Sequence, residues 1–419
     1  MNKKPVPVAL PRIQRFESMG LGLFVHYGLY SQLGAGEWVE LSRKLRDADY
    51  VKLAQAFTAE DFDGAALAKL ARQGGMRYAC LTTRHHEGFS LFDTRGLNEF
   101  DAPHSGAGRD LVAEFVEACR SEGIVPFFYH TTLDWRWDTQ HCDQARFDEY
   151  LDYLNASIEI LCTQYGEIGG LWFDGNWSRP GADWKEDRLY GIIRQHQPEA
   201  IIINNSGLSN RGATGHPELD SRTFEQGLPS APDRAGWPKY LAGEMCETLN
   251  SHWGLATMDF ALKGPATIIE HLCACRKVGA NYLLNVGPSA TGAIADYETS
   301  LIHLLGRWIA TLGDLIYEGR PVRAICRDPD FLLKKGKNYY YFAHTLHQQG
   351  SGHVVTSGVS SGPRSITGLT EKIRSVRWLD DKKPLPFLQS ERGDFLTIDC
   401  LGYDYGTNLV VRVAELEVA

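Results

Sequence analysis

In this sequence of 419 residues no long apolar run, basic cluster or recognisable secretory leader is visible. No apolar stretch approaches the roughly 20 residues that a membrane-spanning helix needs. The net charge is −9 and basic residues are dispersed, so nucleic acids and anionic membranes are not expected partners. The N-terminal segment contains prolines and charges where a signal peptide would have its apolar core. We therefore expect neither membrane insertion nor secretion.

The cysteines also argue against a secreted protein. There are nine, an odd number, scattered along a chain that is long enough to bury a large core without disulfides. Such a pattern favours a reducing cytoplasm over a disulfide framework. One close pair, Cys273 and Cys275, has no second pair with which to form a zinc site. We expect a cytoplasmic protein without a metal or other cofactor, and a homo-oligomer is left open.

Short apolar runs alternate with helical patterns from about residue 20 to residue 320. Repeated strand–helix alternation over this length predicts an α/β domain with a (β/α)8-like, TIM-type barrel, which we assign to residues 1–320. The candidate strands are Leu21–His26, Tyr78–Leu81, Ile124–Tyr129, Gly170–Phe173, Ala200–Ile203, Tyr240–Met245 and Asn281–Val286.

The remaining residues, 321–419, have a different texture. They are rich in Val, Tyr, Thr, Gly and Ser, and polar and apolar residues alternate in runs such as Lys337–Ala343 and Arg374–Trp378. No amphipathic helical pattern is visible there. This part of the chain is predicted to be a C-terminal antiparallel β-sandwich.

In a barrel of this type the chemistry lies at the carboxyl ends of the strands. The residues that follow the candidate strands are mainly histidines, aromatic residues and carboxylates. Aromatic faces hold the apolar side of a sugar ring, and polar side chains bind its hydroxyl groups, so a carbohydrate site is indicated. The candidates are His26, Glu37, Trp38, His85, His86, Tyr129, Trp172, Asp174, Arg222, Glu225, Glu244 and Glu247.

Two alternatives concern individual residues. Asp174 follows a buried run and precedes the turn signal Gly175-Asn176, so it is either a turn residue or a carboxylate at the mouth of an aromatic pocket. His85 and His86 could bind a metal in a barrel hydrolase. Adjacent residues on a strand point to opposite faces, however, so a metal pair would more naturally be spaced His-x-His.

Five segments, in order, resemble glycoside hydrolase family 29, the α-L-fucosidases. The resemblance covers residues 15 to about 320, and an ordered set of motifs is more specific than any one of them. The segments are Gly20–Ser31 with Gly36–Trp38 behind it, Leu81–Phe89, Leu171–Gly175, Glu244–Asn250 followed by Trp253-Gly254, and Asn281–Pro288.

The resemblance implies an exo-acting, retaining α-L-fucosidase that acts on a fucosylated oligosaccharide or glycoside. Asp174 matches the nucleophile and Glu244 the acid/base residue, with Glu37, Glu225 and Glu247 as rivals for the second role. A catalytically inactive, lectin-like relative is the other alternative, besides a metal-dependent hydrolase. The residues expected to bind the sugar are His26, Glu37, Trp38, His85, His86, Tyr129, Trp172 and Arg222.

Overall fold

The computed structural model describes residues 4–206, 208, 210–344, 346, 360–402 and 409–419. The chain divides into two compact units that interleave along the sequence. The first comprises Met1–Lys263 and Asn281–Ile302, and the second comprises Gly264–Ala280 and His303–Ala419. The domain boundary between residues 320 and 321 stays a prediction.

The first unit contains eight parallel strands in the order β5-β4-β3-β2-β1-β8-β7-β6. The (β/α)8-like barrel is therefore confirmed. One strand, β6, was not among the candidates because its sequence is not an apolar run. The strands are β1 Leu21–Val25, β2 Tyr78–Arg84, β3 Val125–Thr131, β4 Gly170–Asp174, β5 Ile201–Asn204, β6 Ser221–Glu225, β7 Ala242–Thr248 and β8 Asn281–Val286.

Helices connect the strands, and several begin where an aspartate can cap them. The carboxylates of Asp63, Asp110 and Asp143 each accept hydrogen bonds from backbone N–H groups of the following turn. Two short 3-10 helices span Leu29–Leu33 and Asn176–Ser178. The α-helices are α1 Pro11–Glu17, α2 Val39–Ser42, α3 Asp47–Tyr50, α4 Leu53–Ala56, α5 Gly64–Gln73, α6 Leu111–Ser121, α7 Gln144–Gln164, α8 Glu186–His196, α9 Pro265–Val278, α10 Asp296–Ala310 and α11 Leu315–Glu318.

The barrel interior is filled by large side chains, mostly aromatic. Phe24, Tyr78, Phe127, Tyr129 and Trp172 belong to one buried cluster that fills the space inside the sheet. These side chains come from neighbouring strands, and burial on both faces explains why most of the strands are nearly continuous apolar runs. The pocket described below lies above this packed layer.

The seam between β5 and β6 is bridged by Asp220, which immediately precedes β6. Its backbone N–H donates to the carbonyl of Ile202 at 2.9 Å, and its carboxylate accepts a hydrogen bond from the N–H of Ile202 at 3.1 Å. The buried carboxylate also forms ion pairs with Arg12, Arg194 and Lys239. The buried carboxylate of Asp220, paired with three cations, thus connects β5 to β6, the strands at the two ends of the sheet order.

The second unit contains the predicted antiparallel β-sandwich, which is confirmed. Its strands form a five-stranded sheet, β13-β16-β11-β10-β9, and a three-stranded sheet, β12-β15-β14. Tyr341, Trp378, Leu396, Ile398 and Leu416 lie in its core. The strands are β9 Arg320–Pro321, β10 Phe331–Lys335, β11 Asn338–His344, β12 Ser360–Thr367, β13 Ile373–Trp378, β14 Phe387–Gln389, β15 Phe395–Leu401 and β16 Val411–Val418.

Candidate active site

Asp174 is the last residue of β4, and its carboxylate is held by three donors. Oδ1 accepts hydrogen bonds from Nε1 of Trp177 at 2.9 Å and from Nδ2 of Asn205 at 3.3 Å. Oδ2 accepts one from the hydroxyl of Tyr129 at 3.1 Å, and Nε2 of His86 lies 3.5 Å away. A carboxylate held in this way is oriented for a task other than capping a turn.

Asp174 faces a small cavity of about 120 Å³ at the carboxyl ends of the strands. Seven residues predicted to bind the sugar or to act as the nucleophile line the cavity, namely His26, Trp38, His85, His86, Tyr129, Trp172 and Asp174. The other residues that line it are Phe24, Trp177, Leu208, Glu225 and Trp253.

A second carboxylate in this cavity belongs to Glu225, the last residue of β6. The amide Nδ2 of Asn205 donates to Oε2 of Glu225 at 2.5 Å and to Oδ1 of Asp174 at 3.3 Å. The hydroxyl of Thr223 donates to the amide oxygen of Asn205 at 2.9 Å, which fixes the orientation of the amide. Because Oδ1 of Asp174 and Oε2 of Glu225 accept from the same nitrogen, the distance between these two oxygens cannot exceed the two N–O distances of 3.3 and 2.5 Å added together. Carboxyl groups of retaining glycosidases lie about 5–5.5 Å apart, and those of inverting enzymes about 6.5–9.5 Å apart.

The environment of Glu225 suits a general acid. Burial, followed by the charge of Asp174, raises the pKa of Glu225 to about 7. The hydrogen bond from Asn205 lowers it in part. A carboxyl group with this pKa is largely protonated at mildly acidic pH and can still release its proton near neutrality.

Glu244 does not lie where the acid/base role requires it. It is the third residue of β7 and pairs in register with Thr223, whereas Glu225 pairs with Cys246, further toward the carboxyl ends. Its carboxylate is fully buried within the barrel, where it accepts hydrogen bonds from the hydroxyl of Tyr78 and from Nε1 of Trp172, the latter at 2.9 Å. Glu244 is therefore not among the residues that line the cavity.

Two predicted sugar ligands also lie outside the cavity lining. Arg222 precedes Thr223 on β6 and therefore points to the opposite face, where its guanidinium packs over Trp237 and donates to the carbonyl of Gly212. Oε2 of Glu37 accepts hydrogen bonds from the backbone N–H groups of Trp253 and Gly254, at 3.0 and 2.9 Å. Glu37 thereby positions the segment that carries the pocket wall at Trp253.

The three histidines of the cavity are neutral at pH 7. Burial lowers the pKa of His26 to about 3 and that of His86 to about 4, and it lowers the pKa of His85 as well. His26 Nδ1 lies 2.6 Å from the amide oxygen of Asn285, and His86 Nδ1 lies 2.7 Å from the hydroxyl of Thr131. With Nδ1 engaged, Nε2 is the nitrogen of His26 and His86 that remains for another partner, and in His86 it lies 3.5 Å from Oδ2 of Asp174.

His85 and His86 follow β2 instead of lying on it. Both rings consequently line the same cavity, with centroids 4.1 Å apart, in contrast to the opposite faces that we predicted. In the part of the chain that the structure describes, no group of three His, Cys, Asp or Glu side chains is arranged to hold a metal ion.

Aromatic rings form the cavity walls. Tyr129 and Trp172 stack with centroids 5.7 Å apart, and Trp38 stacks on Trp177 at 6.3 Å. The ring of Trp253 lies 5.0 Å from His26. A small cavity with aromatic walls, three neutral histidines and two carboxylates is suited to one sugar residue that has both an apolar face and hydroxyl groups.

Some of these residues were missed from the sequence although signals for them existed. Asn205 directly follows β5, so the strand-end rule applies to it as it does to Asp174. Glu225 was considered only as a rival, because β6 was not recognised as a strand. Trp177 and Trp253 stood within or beside the quoted motifs, but nothing in their spacing showed that their rings face the site.

The α-L-fucosidase family model matches residues 8–314. This chain belongs to the α-L-fucosidase family. An α-L-fucosidase isoenzyme 1 structure from Paenibacillus thiaminolyticus is 31% identical, has a TM-score of 0.83, and the match covers 98% of this chain and 99% of that one. The human tissue α-L-fucosidase is 27% identical over 344 residues, which are 74% of this chain and 70% of the relative.

A third relative comes from Bacteroides thetaiotaomicron. That structure is described as a trapped covalent intermediate of an α-L-fucosidase of family 29 in complex with 2-fluoro-fucosyl fluoride. It is 21% identical to this chain with a TM-score of 0.83, and the match covers 99% of this chain and 98% of that one. The predicted family is thus confirmed, and the chain is a glycoside hydrolase by family.

Proposed function

We propose that this protein is an exo-acting, retaining α-L-fucosidase in which Asp174 is the nucleophile and Glu225 the acid/base residue. The observation that carries the proposal is the amide of Asn205, which binds both carboxylates within one cavity. Their separation fits a mechanism with a covalent intermediate and is shorter than the separation in inverting enzymes.

The reaction has two displacements. Asp174 attacks the anomeric carbon of fucose as the bond to the leaving oxygen breaks, and Glu225 gives its proton to that oxygen. Glu225, now ionised, then takes a proton from water, whose oxygen attacks the anomeric carbon and releases Asp174. Two inversions leave the product in the α configuration.

The size of the cavity supports exo action. A volume of about 120 Å³ suits a single terminal sugar and excludes an internal residue of a chain. The covalent intermediate named for the Bacteroides relative supports the same two-step chemistry. The neutral histidines supply both hydrogen-bond donors and acceptors for fucose hydroxyl groups.

We also propose a cytoplasmic location. All nine cysteines are free thiols, and seven of them are buried, which suits a reducing compartment. Within the described residues, no helix has the length and apolar character needed to cross a membrane.

The test is hydrolysis of an aryl α-L-fucoside followed by proton NMR from the first minute. We expect α-L-fucose as the first product, and no effect of EDTA. A β-L product would contradict the assigned roles of the two carboxylates, and loss of activity on chelation that a divalent ion restores would favour the metal-dependent hydrolase. Binding of fucose without any turnover would favour the lectin-like relative.

A further inference from the structure

Asn285, on β8, joins two residues of the catalytic cavity without lining the cavity itself. Its amide Nδ2 donates to the backbone carbonyl of Trp253 at 2.7 Å, and its amide oxygen lies 2.6 Å from Nδ1 of His26. Asn285 is buried. No step of the reaction proposed above uses this residue.

These two contacts fix the orientation of the Asn285 amide. A carbonyl oxygen can only accept a hydrogen bond, so the group that faces the carbonyl of Trp253 is the NH2 group of the amide. The amide oxygen therefore faces His26, and this oxygen also can only accept. Nδ1 of His26 must carry a proton to make this contact a hydrogen bond.

His26 has no second ring proton. Burial lowers the pKa of His26 to about 3, so its imidazole is neutral at pH 7. With the single proton on Nδ1, Nε2 carries a lone pair and can only accept. His26 lines the cavity, and Nε2 is not one of the fully enclosed, unpartnered polar atoms of the described residues. Nε2 is therefore the atom through which this ring meets a ligand.

The ring of His86 is held in a similar way by a hydroxyl group. Oγ1 of Thr131 donates its only proton to the carbonyl of Leu133 at 2.5 Å. Nδ1 of His86 lies 2.7 Å from the same oxygen and must therefore donate to it. Since burial keeps His86 neutral at pH 7, with a pKa of about 4, its Nε2 is an acceptor too. Among the three histidines of the cavity, His26 and His86 thus supply acceptors.

We propose that Asn285 is a positioning residue that holds the proton of His26 on Nδ1 and so makes Nε2 an obligate acceptor. The cavity then selects a ligand that presents a hydroxyl donor to this nitrogen, and it rejects a ligand with an acceptor, such as fluorine, at the same place. The identity of the ligand as fucose rests on the proposed function, whereas the position of the proton does not.

The position of the proton can be measured without a ligand. Long-range proton–nitrogen NMR spectra of protein labelled with nitrogen-15 histidine distinguish a protonated ring nitrogen from one with a lone pair. The spectrum of His26→Gln identifies the signals of His26. We expect a protonated Nδ1 in the wild type at pH 8, and a proton on Nε2 would overturn the inference whether or not the protein hydrolyses a fucoside.

Two substitutions separate the control of the proton from the support of Trp253. Asn285→Leu removes both contacts, whereas Asn285→Asp keeps an acceptor at Nδ1 of His26 and loses the NH2 group that donates to Trp253. At pH 8 the added carboxylate does not leave His26 protonated on both nitrogens. Asn285→Asp should keep the proton on Nδ1, and Asn285→Leu should show it wholly or partly on Nε2. Asn281→Leu is the matched control, because it removes another buried amide from β8.

Analogues of L-fucose test the selection of a donor. The hydroxyl groups at C2, C3 and C4 are replaced in turn by hydrogen and by fluorine, and dissociation constants are measured at pH 8. At the position that meets His26, the wild type should bind the fluoro analogue at least about threefold more weakly than the deoxy analogue, because fluorine sets a second acceptor against Nε2. Asn285→Asp and Asn281→Leu should keep this preference, and Asn285→Leu should lose or reverse it.

Two outcomes of the binding experiment would overturn the inference. One is that no position shows a preference for the deoxy analogue in the wild type. The other is that Asn285→Asp loses the preference as fully as Asn285→Leu, which would assign Asn285 to the support of Trp253 alone. If the wild type bound no fucose, the proposed function would fail, and the spectra of the wild type and Asn285→Asp would still decide where the proton lies. The same two spectra decide it if Asn285→Leu does not fold.

Discussion

Replacement of Glu225 tests its proposed role as the acid/base residue. With a pKa of about 7, Glu225 is about 90% protonated at pH 6, whereas a carboxyl group with its ordinary pKa of about 4.5 would be only about 3% protonated. Proton transfer from such a group contributes about 10²- to 10⁴-fold when the leaving group is poor. Glu225→Ala should lose activity on an oligosaccharide by this factor.

The loss should depend on the leaving group. A dinitrophenolate departs without protonation, so the first step on a dinitrophenyl fucoside should be much less affected by Glu225→Ala. Pre-steady-state release of the phenol measures that step separately from hydrolysis of the intermediate. The wild-type profile of kcat/KM against pH should fall on its basic side near pH 7, and the variant should lack this limb on both substrates.

Glu244→Gln is the matched control, because burial raises the pKa of Glu244 to about 7 as well. The amide oxygen can still accept from Trp172, and the amide N–H can donate to the hydroxyl of Tyr78, which reverses that bond, so any loss should be similar for good and poor leaving groups. Leaving-group dependence in Glu244→Gln together with its absence in Glu225→Ala would refute the reasoning.

Further predictions concern four residues around the site and the seam. Asp174→Gly should abolish turnover, and added azide should yield the inverted β-L-fucosyl azide, detectable by NMR; near-normal activity without azide would contradict the nucleophile role. Asn205→Ala should move the basic limb of the pH profile to higher pH, since its hydrogen bond lowers the pKa of Glu225; an unmoved limb would argue against the bridge. Arg222→Lys should leave KM for an aryl fucoside within about twofold, and a large rise in KM would return Arg222 to the site. Asp220→Ala should lower the free energy of unfolding by about 1–3 kcal/mol in urea titrations, because it removes a buried carboxylate that pairs with three cations and accepts from the N–H of Ile202; a change below about 0.5 kcal/mol would contradict this.

The barrel could be predicted because its strands obey one simple rule. A parallel strand that is buried on both faces must be almost entirely apolar, and Asn281–Val286 has the predicted limits for this reason. Helix limits were predictable where a carboxylate caps the first turn, as Asp110 does for α6. Both signals are local in the sequence and need no knowledge of the tertiary contacts.

The same rule failed at β6, whose residues are Ser-Arg-Thr-Phe-Glu. The strand is polar because Thr223 and Glu225 face Asn205 and the cavity, while Arg222 finds its partners on the other face. Function, and not the hydrophobic core, determines its composition. A polar strand at the active site of a barrel is therefore hard to recognise from apolar periodicity.

The acid/base role was assigned to Glu244 on the resemblance to the family, and the position predicted for β7 agreed with it. The predicted strand Tyr240–Met245 ended too early and placed Glu244 near the carboxyl end, whereas the strand continues to Thr248. When the end of β7 moves from Met245 to Thr248, the side chain of Glu244 moves from the rim of the barrel to its interior. Spacing along the sequence cannot detect it, because the interior layer also contains polar groups when they are satisfied by hydrogen bonds.

Glu225 and Glu244 both have a pKa of about 7, so a raised pKa alone does not identify the catalytic acid. The distance from the carboxyl group to the leaving oxygen decides between Glu225 and Glu244, since a proton donor must lie within hydrogen-bond distance of that oxygen. Glu244 instead fixes the ring of Trp172, which lines the cavity and stacks on Tyr129, the residue that donates to Asp174. The buried glutamate is therefore connected to the nucleophile through these two rings, and its replacement should change the position of Asp174 before it changes any proton transfer.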